Sequence, residues 1–410
     1  MKTFLELIKR EFKLFWKNDV LKMLFFGAPL LYGILIGFVY SKGKVTDLPI
    51  IVVDEDQSSM SAKVIEMMQD NEILDITLLQ FDQSNIDRLM IQKEAACVVM
   101  IPKNFEKEVL TKKYPEITTI VNTANVLTAN YASGAVQVVL GTFKAGTQIE
   151  TLRKQGVPEQ LLMSQYEPFK TTFIKKHNRS TNYMYFLLPG VLFTVLQQVL
   201  LLGLALSFAS EFENQTFISL VRKSKNTFNL IAVKIIPYLI MSVIVWLMYW
   251  GFSKMFHFPL MNNLGALTFI AGIFVIAVCF IGILVSIVIP NQLKATEVLM
   301  VVATPSFMIS GFTWPLSQMP EWVQFFSNMI PLTHFLQVYR ILIVEGGTFD
   351  LTYKYILSLL LIAFVCAVLS YIALKIKVNK ANKVIEAEES SHLNSDVIED
   401  EWIEDNFQEK

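Results

Sequence analysis

Charge is scarce in this chain: 17% of its 410 residues are Asp, Glu, Lys or Arg. The formal net charge is −1, so the concentrated basic surface of a nucleic-acid binder is missing. Cysteine is scarcer still. Cys97, Cys279 and Cys366 lie far apart, the last two inside apolar runs where a thiol acts as a small hydrophobe. That spacing excludes a disulfide framework and a CxxC metal pair. The histidines, His177, His257, His334 and His392, offer no ligand spacing. A phosphate-cradling loop requires a glycine, four further residues, then Gly-Lys-Ser/Thr. The sole Gly-Lys pair, Gly43-Lys44, is followed by Val45 and has Phe38 where the first glycine belongs. HExxH and GxSxG are absent too, so neither ATP hydrolysis nor hydrolase chemistry has a site. The chain does not read as an enzyme, and no cofactor, metal or catalytic residue is expected on it.

What it has in abundance is apolar sequence: 53% of residues are hydrophobic and 31 are Phe, more than a soluble chain of this size usually carries. A membrane-spanning helix needs about 20 mostly apolar residues. Six stretches qualify, near 22–40, 183–208, 231–252, 265–289, 297–313 and 353–376. Basic residues precede the first as in a signal peptide, yet the run is long enough to span and no A-x-A-like site follows, so it reads as retained. Ion-coupled transporters keep ionisable residues within their spans. Here Glu211, Lys234, Glu297, Lys354 and Lys375 are expected near span ends, with their heads reaching water, so energy for transport would come from elsewhere.

Lys and Arg gather on the cytoplasmic side of membrane proteins. Lys2, Lys9, Arg10, Lys13 and Lys17 precede the first span, Arg222, Lys223 and Lys225 lie between the second and third, Lys294 between the fourth and fifth, and Lys375, Lys377, Lys380 and Lys383 follow the sixth. With six crossings all fall on one side, placing both termini in the cytoplasm and residues 41–182 outside. That segment reads as an α/β domain. Strands are expected at Pro49–Val53, Ile73–Leu79, Ala95–Ile101, Glu116–Val121 and, less regularly, Phe169–Lys175; helical spacing covers 58–69, 84–93 and about 126–155. The fold class is thus a polytopic α-helical membrane protein of six transmembrane helices with an inserted α/β extracytoplasmic domain. Residues 377–410 form an acidic cytoplasmic tail, too polar from Val384 on to bury a core and expected to be disordered.

The densest pattern lies over 309–347. Ser310-Gly311-Phe312 ends the fifth span, Pro315, Met319, Pro320 and Trp322 follow in a broken outer segment over 312–352, and Pro331, Thr333, Arg340 and Gly346 lead to the sixth. Broken backbone at membrane depth survives only when buried in protein or lining water. In order and spacing these residues closely resemble the signature of ABC-2 type permeases, the membrane subunits of ATP-driven exporters. Leu188-Pro189-Gly190 opens the second span much as that family's Pro-Gly does, and the insertion after the first span matches its subgroup with a large extracytoplasmic domain.

The resemblance implies a permease subunit forming a translocation path for an exported substrate, in a bacterial plasma (inner) membrane. It implies as partners separate ATP-binding cassette ATPase subunits, a second permease (identical or similar), membrane lipids and, in some assemblies, a periplasmic adaptor. The family's cytoplasmic coupling helix corresponds to the loop 209–230, where Glu211, Glu213, Thr216 and Leu220 match and Gln215 replaces the usual glycine. Residues 1–20 form an amphipathic helix with Phe4, Leu5, Ile8, Phe12, Phe15 and Trp16 near one face, suited to lie in the interface or to touch the ATPase. Gly33 and Gly37 make a GxxxG in the first span. His334 and Arg340 either line a substrate path or satisfy interfacial polar groups. The competing class is a membrane-anchored sensory or scaffold protein whose outer domain binds a ligand or partner.

Overall fold

The computed structural model describes residues 2–408 other than 168, 170, 261 and 262, with side chains described from residue 3 to residue 388. Two compact units result: Met1–Gly43 with Lys176–Lys410, and Lys44–Lys175. The first begins with α1 (Lys2–Lys17) and α2 (Asp19–Val39). Asn18 separates them, its side chain accepting from Leu21 N (3.0 Å) as a cap. In α1 the buried residues are Leu7 and Phe15, with Phe4, Ile8 and Phe12 partly buried beside them. Leu5 and Trp16, expected on this face, are about half exposed. The buried stripe follows i, i+4, i+8 through Leu7, Glu11 and Phe15, so a carboxylate sits in its middle.

The chain leaves the helical unit after Gly43, and Lys44–Lys175 folds around a four-stranded sheet of order β2-β1-β3-β4. Its elements run β1 (Leu48–Asp54), α3 (Ser59–Gln69), β2 (Leu74–Gln80), α4 (Ile86–Gln92), β3 (Cys97–Ile101), α5 (Phe105–Leu110), β4 (Thr118–Val121), α6 (Val126–Lys154) and α7 (Glu159–Tyr166). The first three strands are parallel and β4 is antiparallel to β3. Parallel neighbours require crossover helices, and α3 and α4 supply them. Ile50, Val52 and Val99 face Val64 and Met68 of α3 and Val136 of α6; Ile51, Val53 and Val98 face Ile86 and Leu89 of α4. Burial on both faces accounts for the unbroken apolar runs of β1 and β3. The strand expected at Phe169–Lys175 is not formed by the residues described there. Phe173 and Ile174 are largely exposed, so no apolar face is available for pairing against a core.

After Lys176 the helical unit resumes with α8 (Tyr183–Glu213), α9 (Phe217–Lys223), α10 (Thr227–Phe256), α11 (Leu264–Val288), α12 (Gln292–Ala303), α13 (Ser306–Ile309), α14 (Glu321–Asn328), α15 (Pro331–Tyr339) and α16 (Tyr353–Gln408). Among the described residues five helices, α2, α8, α10, α11 and α16, are long and apolar enough to cross a membrane. The protein is a polytopic helical membrane protein. The remaining stretch, 297–313, is divided. Pro305 has no N–H and ends α12 before Gly311 is reached. Further on, the backbone of the acidic tail, expected to be unstructured, continues α16 to Gln408.

The glycines of α2 let two rings in. A Cβ on Gly33 would stand 2.2 Å from Phe252, and one on Gly37 2.3 Å from Phe256, so the GxxxG receives aromatic side chains of α10.

Candidate functional site: an ion cluster and a broken segment

At one end of the helical unit α8 ends beside the short α9, and four charged groups converge. Lys234 of α10, expected to reach water, is 2% exposed, as is Glu211 of α8. Lys234 Nζ donates to Glu211 Oε1 (2.8 Å) and to Glu11 Oε2 (2.9 Å). Arg10 reaches Glu211 through both terminal nitrogens, at 2.8 and 3.0 Å, and Glu11 at 3.1 Å. The hydroxyl of Thr216 also donates to Glu211. Two cations and two carboxylates thus cancel. Each keeps several partners, the condition under which buried charge is tolerated. A cavity of about 260 Å³ beside them, lined also by Ser207, Asn214 and Gln292, keeps the cluster within reach of solvent.

The four residues assigned to coupling therefore have different surroundings. Glu211 and Leu220 are buried, the latter within α9. Thr216 opens α9 and holds Glu211, while exposed Glu213 accepts from Gln292 N (3.0 Å) and Nε2 (3.1 Å) at the start of α12. Gln215 has φ +56, the left-handed conformation that glycine adopts without strain. The glycine usual at this position is thereby explained by backbone geometry. The last helix closes the group: Lys377 lies 3.8 Å from the Phe212 ring centroid and Arg222 pairs with Glu388.

The signature residues gather around a second feature, the broken segment. Gly311 has φ +78, and a Cβ there would meet Leu316 at 2.5 Å. Its carbonyl and that of Phe312 accept from Arg340 Nη2 at 3.4 and 3.2 Å, and the guanidinium lies over the Phe312 ring. Phe312 stacks on Phe186 (5.0 Å between centroids) and covers Gly190, where a Cβ would be 2.6 Å from its ring. The Pro189-Gly190 pair of α8 and the Ser310-Gly311-Phe312 of the broken segment are therefore halves of one contact.

Ser310 is fully buried, and its Oγ donates to Phe307 O (2.7 Å). Ser327 Oγ donates to Ile309 O (2.6 Å) and lies 3.0 Å from Thr333 Oγ1. Pro315 and Pro320 bracket the turn that carries Met319, whose carbonyl accepts from Gln324 (2.8 Å). Pro331 starts α15, Gly346 (φ +65) ends the turn after Arg340, and Trp322 is largely exposed. His334 Nε2 lies 2.8 Å from Asn328 O, so both His334 and Arg340 serve backbone carbonyls.

Gln197 was not foreseen. It lies in the middle of α8, 1% exposed, donating to Ser306 Oγ (3.1 Å) and accepting from Leu332 N (3.2 Å). Leu332 N is one of the free donors in the first turn of α15, so Gln197 ties α8 to both sides of the broken segment. The Gln197-Gln198 pair in an apolar run, facing a proline-broken segment elsewhere, was the available signal.

The sequence of this chain matches the family model described as "ABC-2 family transporter protein" over residues 21–372. The chain belongs to the ABC-2 transporter family. It is 20% identical over 379 residues to the probable multidrug ABC transporter permease YbhR of Escherichia coli strain K12, covering 91% of this chain and 98% of that one. It is 23% identical to the probable multidrug ABC transporter permease YbhS of the same strain, covering 77% and 82%. The inner membrane transport permease YhhJ, again of that strain, is 21% identical over 79% of this chain and 85% of its own length. The ABC-2 match runs from within α2 to residue 372 in the first half of α16, so it takes in the ion cluster's helices except α1 and the whole of the broken segment.

Proposed function

We propose that this ABC-2 permease is half of the membrane path of an ATP-driven exporter, paired with a second permease, identical or similar, and with two separate ATPase subunits. The observation that carries the reading is the family match over residues 21–372. In the proposed topology α12 and α13 together make a fifth of six crossings, both termini are cytoplasmic, and Lys44–Lys175 is the extracytoplasmic domain. The placement of Lys and Arg supports it, since the cations flanking the six stretches then share one side.

In this topology the ion cluster, the exposed Glu213 and α9 lie at the cytoplasmic end, where an ATPase docks. Closure of the ATPase pair would push on α9 and α1. The cluster binds α1, α8 and α10 into one body, so that a push at the surface tilts spans instead of bending a loop. The chain itself supplies no ATP chemistry and needs no cofactor. YbhR and YbhS are named as probable multidrug permeases; an apolar, structurally broad substrate class is the corresponding proposal here.

The test is co-expression of the full chain with candidate ATP-binding cassette ATPases from its own genome, in lipid nanodiscs. Co-purification, with ATP hydrolysis stimulated several-fold by the permease and reduced by deletion of 214–226, supports the reading. An ATPase that neither binds nor responds sinks it in favour of an anchored sensory or scaffold protein.

A further inference from the structure

The sheet unit Lys44–Lys175 contains a groove of about 580 Å³ between α5, the turn that follows it, and the second half of α6. That volume is within the roughly 300–1,000 Å³ of small-molecule sites, which are mostly apolar with a few placed polar groups. Its floor is Phe105, Val109, Ile117, Leu140, Phe143 and Leu152. Phe105 and Phe143, with rings 6.1 Å apart, belong to the unit's core, so the groove opens directly onto that core.

The rim has one sign of charge. Lys112 and Lys144 line it, no Asp or Glu does, and neither lysine has an ion-pair partner among the described residues. The rim is also strained. Lys112 has φ +58 and Tyr114 has φ +52, the latter preceding Pro115, where extended backbone is favoured. Tyr114 is 95% exposed, an aromatic ring standing free at the mouth of an apolar floor. Non-glycine residues in this conformation are uncommon, and such strain gathers at ligand sites.

We propose that this groove binds an amphiphile bearing one anionic group: an apolar body on the Phe105–Phe143 floor and a carboxylate or similar head between Lys112 and Lys144. The site belongs to the sheet unit alone and does not depend on the export reading.

The experiment uses the full chain in phosphatidylcholine nanodiscs, photolabelled with a diazirine-bearing long-chain carboxylate or with its matching alcohol. Saturable labelling should map to peptides covering 105–117 and 140–155, and be several-fold stronger for the carboxylate. The double variant Lys112→Glu/Lys144→Glu should lower it by about tenfold, the scale of two exposed ion pairs reversed. Leu140→Trp, which fills the groove and leaves its charges, should abolish it while the buried Cys97 stays protected from alkylation in both variants. Labels confined to the spans, equal labelling by the alcohol, labelling indifferent to both variants, or a groove masked by a co-purified protein would each overturn the proposal.

Discussion

Lys234 and Glu211, on consecutive long helices, meet at 2.8 Å with each only 2% exposed, and Arg10 and Glu11 of α1 complete the charge balance around them. Removing one buried partner strands the other at a cost of about 3–5 kcal/mol, whereas replacing both by apolar groups is often neutral. Lys234→Met should therefore destabilise the protein on that scale in an unfolding titration. The double variant Lys234→Met/Glu211→Met should recover most of the loss, because Arg10 and Glu11 remain as a neutral pair. A double variant as damaged as the sum of the singles would contradict the pairing.

The cluster also shows where sequence reading stops. Hydropathy placed the long spans because twenty apolar residues have few alternatives, and β1 and β3 of the sheet unit because buried parallel strands read as unbroken apolar runs. Lys234 lies seven residues inside α10, close enough to its end to pass for a snorkelling lysine. Its partners are 23 and 223 residues away, a separation no local pattern encodes. Gln197 was hidden for the same reason. In the signature the order of residues was visible, while the reason for it, Phe312 seated on Gly190 and capped by Arg340, required the fold.

Gly33 of α2 admits the Phe252 ring, which a Cβ would approach to 2.2 Å. Gly33→Leu should cost about 1–3 kcal/mol, as overpacking does. Adding Phe252→Ala should return part of that loss, giving a favourable coupling energy in a double-mutant cycle. Additive losses would show that the ring moves aside freely.

Arg340 holds the carbonyls of Gly311 and Phe312. A hydrogen bond to a charged group contributes about 1.5–3 kcal/mol. Arg340→Gln should loosen the turn, and limited proteolysis should cut within 311–320 faster than in the parent. Arg340→Lys should rescue only in part, since an ammonium lacks the planar fork that spans two acceptors. Unchanged cutting in both variants would place the restraint elsewhere.

Burial pushes the Cys97 thiol from 9 up to about 12. The thiolate is the reactive form, so at pH 8 its population falls by about a thousandfold relative to the unperturbed group. With Cys279→Ala and Cys366→Ala in place, alkylation of the native protein should be very slow and rise about tenfold per pH unit up to the folded value. Denaturant should bring it to the rate of a free thiol, reporting the unfolding of the sheet unit alone. Rapid labelling at pH 8 without denaturant would mean that β3 opens readily.

Gln215 carries the left-handed backbone at the turn into α9, a conformation that costs an ordinary side chain roughly 1–2 kcal/mol and glycine almost nothing. Glycine gives part of this back through the greater freedom of its unfolded chain. Gln215→Gly should therefore raise stability by a net of about 0.5–1 kcal/mol, and Gln215→Val, branched at Cβ, should lower it. Thr216 follows at once and holds Glu211, so a better-fitted turn should also fix the hydroxyl more firmly on the ion cluster. If Gln215→Gly leaves the thermal midpoint unchanged while Gln215→Val lowers it, the turn is relaxed with glutamine and the strain argument fails.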